Sequence, residues 1–233
     1  MTDTLPNDGA LETPRVQSLV TRARQTRGFM PDDEGEALLL AALRAGRAAP
    51  TGGTPTTFVE IGAWCGKSSV YLGAAAEATG AVLFSVDHHR GSEENQPGWE
   101  HHEADLVDPR LGQIDTLLHW RRAISDTGLE GSVIGVVGDG PTVAARWHQP
   151  LAFCFIDGGH GEEPAWADFR GWAPKVALGG WLAIHDVFPD PADGGRPPYE
   201  LYVAALGSGE FTKDGECGSL RVLRRVAPAP APT

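Results

Sequence analysis

Four residues whose types can hold a metal ion or move a proton, Asp157, His160, His185 and Asp186, fall within the single stretch Leu151–Phe188, LAFCFIDGGHGEEPAWADFRGWAPKVALGGWLAIHDVF. Leu151–Ile156 is a short apolar run that ends on Asp157 and is followed by Gly158, Gly159 and His160. Glu162–Trp172 carries helical spacing, with Trp166, Phe169 and Trp172 able to share one face. Gly179-Gly180 is expected to break that pattern, and Trp181–Ile184 reads as a second buried strand ending on His185-Asp186. Two parallel strands joined by a right-handed helical crossover lie with their carboxyl ends side by side. That edge is where open α/β sheets bind ligands. Two carboxylates and two imidazoles converging there read as a metal site with a base beside it. The plain alternative is that an acid after a strand only caps the next helix.

The elements that must position these residues are legible along the rest of the chain. At 233 residues with 41% hydrophobic content and seven Trp, the chain suits one domain with a full core. A formal charge of −12 argues against nucleic acid or an anionic membrane as the main partner. Cys65, Cys154 and Cys217 are scattered without zinc spacing, and reduced thiols are expected. The polar, acidic N-terminus reads as neither a secretory signal nor a transit peptide, and no apolar run is long enough to span a membrane. The expected location is the cytoplasm. Residues 1–55 are expected to form an N-terminal extension, with helices over Val16–Arg27 and Asp32–Arg47 and a Pro/Gly/Thr linker over Ala48–Pro55. Those helices would cover a sheet edge or pocket or make a dimer contact, and a homodimer is expected. Residues 56–225 form the sheet domain, and 226–233 a Pro/Ala tail.

The sheet domain opens with a strand, Thr56–Ile61, a glycine turn, a helix over Ser69–Ala78 and a second strand, Val82–Val86, ending on Asp87. This βαβ start predicts a nucleotide-type ligand over the helix N-terminus. Gly62-xxx-Gly66-Lys67-Ser68 is one residue short of a P-loop, and Glu60 would repel a polyphosphate. Gly62-Ala-Trp-Cys-Gly does not supply the dinucleotide pattern GxGxxG. The pattern that is met is E-x-G-x-x-x-G followed by an acid at the end of strand two: Glu60, Gly62, Gly66 and Asp87. Its glycines let the backbone pass close to a ligand, Asp87 can accept both ribose hydroxyls, and acidic residues tolerate a cationic sulfonium. A tight strand–helix turn with no ligand is the alternative.

With VEIGAWCGKSS, SVDHH, VVGDG, FIDGGH and GGWLAIHDV, the chain resembles the class I S-adenosylmethionine-dependent methyltransferases from about Thr56 to Arg224. The resemblance implies a Rossmann-like α/β fold, a mostly parallel seven-stranded sheet whose last strand is antiparallel. It implies S-adenosylmethionine as cofactor, with Glu60, Gly62 and Gly66 lining its methionine end, Asp87 on the ribose and Asp139 near the adenine. Trp64, Ser68 and His88 complete the expected cofactor-binding set. An acid such as Asp139 after a strand is also an ordinary helix cap.

The segment His88–His102 is too long for an ordinary βα connection and is expected to be a substrate lid. Arg90, Glu93, Asn95 and Trp99 in it, with Tyr199 beyond the last crossover, are the candidate acceptor-binding residues. Its two His-His pairs could instead be metal ligands, although their spacing matches no standard site, and a plain solvated loop is the other alternative. The arrangement around Asp157 is similar to the metal-dependent O-methyltransferases of macrolide-sugar and cephalosporin pathways. Asp157, His160 and Asp186 match their pattern: Asp157 and Asp186 would hold Mg²⁺ or Mn²⁺, and His160 would be the general base. His185 stands where those relatives carry Glu: as a ligand it would shift preference toward softer ions such as Mn²⁺, and the alternatives are that it leaves coordination to the two Asp and water or is only a hydrogen-bonding partner. The reading is a divalent-metal-assisted O-methyltransferase acting on a sugar hydroxyl of a polysaccharide or glycosylated natural product, a small-molecule or oligosaccharide acceptor. The alternatives are a metallohydrolase using the Asp/His cluster and a non-catalytic adenosyl-ligand binding protein.

Overall fold

The computed structural model describes residues 13–48, 56–99, 102–159 and 161–228. Two helices lead, α1 (Pro14–Gln25) and α2 (Asp32–Ala48). Thr13 caps α1 by accepting from the Val16 N–H, and Asp32, Asp33 and Glu34 place negative charge on the first turn of α2. Then come β1 (Thr57–Ile61), α3 (Lys67–Thr79) and β2 (Val82–Asp87). A small ribbon, β3 (Val107–Asp108) with β4 (Gln113–Ile114), sits in the connection to α4 (Leu117–Thr127). The chain continues through β5 (Val133–Val137), α5 (Gly140–Ala144), β6 (Leu151–Ile156), α6 (Glu162–Trp172) and β7 (Val176–Ile184). It ends with α7 (Arg196–Gly207) and the hairpin β8 (Phe211–Cys217) and β9 (Leu220–Arg225).

Seven strands form one sheet in the order β5-β2-β1-β6-β7-β9-β8. β5, β2, β1, β6 and β7 pair in parallel, and β9 runs antiparallel to both β7 and β8. This is the Rossmann-like arrangement expected of a class I methyltransferase. Alternate residues of each central strand face opposite layers. Phe58, Leu83, Phe153 and Trp181 pack with buried residues of α1–α4, while Val59, Ile61, Cys154 and Leu182 pack with those of α5–α7. The order reverses between β1 and β6, which places the ligand crevice at their carboxyl ends.

Gly179-Gly180 lies inside β7 rather than ending the helix before it, so the strand begins earlier than its sequence suggests. The pairing with β6 slips there, from Leu151 opposite Val176 to Phe153 opposite Trp181. Gly179 at φ +78° absorbs the extra residues as a bulge. Residues 49–55, most of the expected linker, lie outside the described residues, as do 1–12 and 229–233. Among the described residues no helix is long and apolar enough to cross a membrane.

Candidate active site

The three central strand tips are laced together by their own backbones. The Gly62 N–H donates to Val86 O (3.0 Å), the Asp157 N–H to Ile61 O (2.9 Å) and the His185 N–H to Ile156 O (3.2 Å). Gly62 has φ +87°, and a β-carbon there would run into the carbonyl group of Asp157, so only glycine lets the two loops cross. Gly66, at φ +99°, starts α3 in a left-handed conformation.

Glu60 sits behind this turn with no exposed surface. Its carboxyl accepts from the hydroxyls of Ser68 (2.9 Å), Ser69 and Ser85, and Trp120 Nε1 donates to Ser69 Oγ (2.9 Å) and Ser85 Oγ (3.1 Å). Burial pushes Glu60 up to about 7, against the opposing effect of the three hydroxyls. This side chain and that of Ser68 fasten β1, β2 and α3 to one another. Asp87 braces the turn from the next strand. One oxygen accepts from the Ala63 and Trp64 N–H groups (2.8 Å each), the other from the His89 N–H (2.6 Å). Trp64 packs against Phe29 at 5.9 Å, and its buried Nε1 has no hydrogen-bond partner. His88 is exposed, and its Nδ1 accepts from the Arg90 N–H. Asp139 caps α5, accepting from the Thr142 N–H (3.0 Å) and hydroxyl (2.7 Å).

Asp157, His185 and Asp186 converge as the sequence suggests, each offering one ligand atom within 4.8 Å of the others. His185 is 5% exposed, with Nδ1 3.1 Å from Asp157 Oδ1 and 3.3 Å from Asp186 Oδ2. On the far side its Nε2 lies 2.8 Å from Glu34 Oε2 of α2. These are ion-pair contacts, and neither ring nitrogen is aligned for a strict hydrogen bond. Burial alone would depress the imidazole; Asp157, Asp186 and Glu34 outweigh it and hold His185 well above its ordinary value. Two carboxylates and one imidazole at this spacing are a donor set that fits a divalent cation. His160 lies outside the described residues.

Two acids of this region escape sequence reasoning. Glu34 reads as one more carboxylate on a helix first turn. Asp168 reads as a polar position on α6, yet it is buried beneath the strand tips, with Oδ1 unpartnered. A β-carbon on Gly158 would stand 2.7 Å from its Oδ2, so a glycine leaves it room. Burial, with the charges of Asp139 and Asp87, raises Asp168 to about 7.

The His88–His102 segment lies against the Asp157 turn, where a β-carbon on Gly159 would be 3.7 Å from Ser92 and one on Gly161 3.9 Å from Glu93 Oε2. Asn95 is buried and holds the segment together, accepting from the Ser92 N–H (2.8 Å) and hydroxyl (2.9 Å). The paired histidines do not form a metal centre among the described residues. His89 Nδ1 contacts Thr116 Oγ1 at 2.8 Å and His102 Nδ1 contacts Asn95 O at 2.8 Å, so one ring ties the segment to the start of α4 and the other ties it to itself. Trp99 is 54% exposed, and Arg90 reaches 3.6 Å from Asp115. Tyr199 lies under the Arg196 guanidinium at 4.2 Å, next to Pro198, which lines a small cavity with Asp157 and His185.

Residues 59–187, more than half of the chain, match the sequence family described as a methyltransferase domain. The chain belongs to that family. It is a class I S-adenosylmethionine-dependent methyltransferase. Solved structures similar to this methyltransferase include the O-methyltransferase NovP (17% identity, TM-score 0.61, 84% of this chain and 81% of that one). The Podospora anserina methyltransferase PaMTH1, solved with bound SAH, is 10% identical with a TM-score of 0.61, covering 97% and 100%. An rRNA methylase from Streptococcus thermophilus is 13% identical with a TM-score of 0.51, covering 87% and 100%. At these identities the likeness is one of fold, and proteins of differing acceptors share it.

Proposed function

We propose that this methyltransferase transfers the methyl group of S-adenosylmethionine to a hydroxyl oxygen of a sugar or sugar-bearing small molecule, assisted by a divalent ion. The observation that carries the reading is the convergence of Asp157, His185 and Asp186 beside the Gly62 turn. NovP is an O-methyltransferase of the same fold, which supports the oxygen acceptor.

The sulfonium cofactor supplies an electrophilic methyl group and leaves as a neutral thioether. Gly62 and Gly66 would admit it against the backbone, and Asp87 would take the ribose hydroxyls with its remaining lone pairs. Trp64 and His88 flank that position, and Asp139 is the candidate for the adenine. A divalent ion held by Asp157, His185 and Asp186 would lower the pKa of an acceptor hydroxyl and fix its direction. His160, three residues after Asp157, is assigned the acceptor proton, a role typically worth about 10²–10⁴ in rate. Glu93 and Asn95 of the neighbouring segment, with Arg90, Trp99 and Tyr199 further out, are the acceptor-binding candidates, with Trp99 offering a face to a sugar ring.

A metal-free variant of this transfer is favoured by one observation: His185 Nδ1 lies 3.1 Å from Asp157 and 3.3 Å from Asp186, so a protonated ring would offset part of their charge without an ion. Calorimetric titration with S-adenosylmethionine, with and without Mg²⁺ and Mn²⁺ and against NAD and ATP, tests both. Cofactor binding together with a bound divalent ion supports the metal-assisted reading. Cofactor binding with no ion bound leaves the metal-free one, and metal binding without cofactor binding puts a metallohydrolase first.

A further inference from the structure

His185 is held from behind by a carboxylate whose own placement is over-determined. Glu34 has its side chain 6% exposed, and it accepts from the Ser219 N–H through Oε1 (2.8 Å) and from Ser219 Oγ through Oε2 (2.9 Å). Ser219 lies in the turn between β8 and β9, and its carbonyl accepts from the Val187 N–H (3.0 Å), two residues after His185. At Gly218, φ is +51°, and a β-carbon would occupy the place of Glu34 Oε1. The turn is therefore shaped around this carboxylate and tied at the same time to the end of β7.

The consequence is an orientation. Glu34 Oε2 stands 2.8 Å from His185 Nε2, and the two aspartates stand on the Nδ1 side. The Glu34 contact is an ion pair, and by its charge a carboxylate this close to Nε2 favours a proton there, while the aspartates on the other side leave Nδ1 facing the place a cation would take. Cation binding at Nδ1 then requires release of any proton there. Resting on the divalent-ion reading of Asp157, His185 and Asp186, we infer that Glu34 is a positioning residue that presents His185 Nδ1 to the ion. The site is thereby a mixed nitrogen–oxygen site that selects Mn²⁺ over Mg²⁺. Mg²⁺ prefers an all-oxygen octahedron, whereas an imidazole donor suits transition metals.

Pulsed EPR of the Mn²⁺-loaded full chain, with Mn²⁺ and Mg²⁺ affinities by calorimetry, reads this without any turnover assay. The wild type is expected to show a coupling from a directly bound ¹⁴N and to bind Mn²⁺ at least about tenfold more tightly than Mg²⁺. Glu34→Gln keeps shape while weakening the hold on the ring; it is expected to lower Mn²⁺ affinity about 10–100-fold and reduce the ¹⁴N coupling. His185→Glu is expected to abolish the coupling and bring the two affinities together. Should Glu34→Gln not fold, Ser219→Ala, which removes one support of Glu34, is expected to shift affinity the same way by less, and no shift overturns the role. A Glu34→Gln protein that matches wild type in affinity and coupling overturns the positioning role and leaves the metal reading intact. Bound Mn²⁺ without ¹⁴N coupling removes His185 as a ligand and the inference with it. A wild type that binds neither ion defeats the metal reading itself.

Discussion

Gly62 passes over Asp157 so closely that the carbonyl group of Asp157 occupies the space a β-carbon on Gly62 would need. The turn after β1 and the turn after β6 are thus one packed unit, and the position of the Asp157 carboxylate depends on a residue in the cofactor turn. Gly62→Ala combines that clash with a φ of +87°, a conformation L-residues rarely adopt. We expect a stability loss of about 2–4 kcal/mol in chemical denaturation. A loss within experimental error would show that the two turns can part without cost.

Gly218 plays the equivalent part behind His185. Gly218→Ala at φ +51° must displace the Glu34 carboxylate, and with it the two bonds from Ser219. The expected destabilisation is about 1–3 kcal/mol, measured by urea unfolding. The loss should shrink markedly in a Glu34→Ala background, where the space is free. Additive losses would mean that the clash is not with Glu34.

The central strands were readable because each is a short apolar run closed by a chemically distinct residue, Asp87, Asp157 or His185, whereas the seven-stranded arrangement came from the family resemblance. The convergence of Asp157, His185 and Asp186 followed from topology alone, since adjacent parallel strands end side by side. The hydroxyl cradle of Glu60 was not read from the sequence, because a strand-tip acid in a glycine motif draws attention to a ligand contact. Ser68, Ser69 and Ser85 were the available signal that its oxygens are satisfied within the fold. The start of β7 was missed because Gly179-Gly180 mimics a stop, and only strand pairing distinguishes a bulge from a break. The Glu34–His185 contact joins the second helix to the fifth parallel strand, and no local pattern carries such a pairing.

Asp168 should make stability pH-dependent in a defined direction. Its carboxyl is raised from 3.8 to about 7, so the folded state holds a proton the unfolded chain has released. That contribution is full below the unfolded value and is lost as pH rises through about 7. Asp168→Asn removes the titration, and its stability advantage over wild type should grow by about 1–3 kcal/mol between pH 5 and pH 8. Parallel pH profiles for the two proteins would refute the buried, raised carboxyl.

Asp87 is expected to serve both its own turn and the ribose. Asp87→Ala removes the acceptor of three backbone N–H groups as well as the ribose contact. S-adenosylmethionine affinity should fall about tenfold or more, about 1.4 kcal/mol, by calorimetry. Asp87→Asn, which keeps one oxygen acceptor, should lie between the two. An unchanged dissociation constant in both variants would remove Asp87 from the cofactor site.

The role proposed for His160, taking the acceptor proton, rests on its place in the sequence three residues after Asp157. A base acts in the methyl-transfer step, whereas a cofactor ligand acts in binding. His160→Ala should therefore lower kcat by about 10²–10⁴ while the S-adenosylmethionine dissociation constant stays within about twofold, under 0.5 kcal/mol. The residual rate should climb with pH, since hydroxide takes over proton removal from the acceptor. If kcat is retained, another group takes the proton. If cofactor affinity falls in step with kcat, His160 belongs to the binding surface instead.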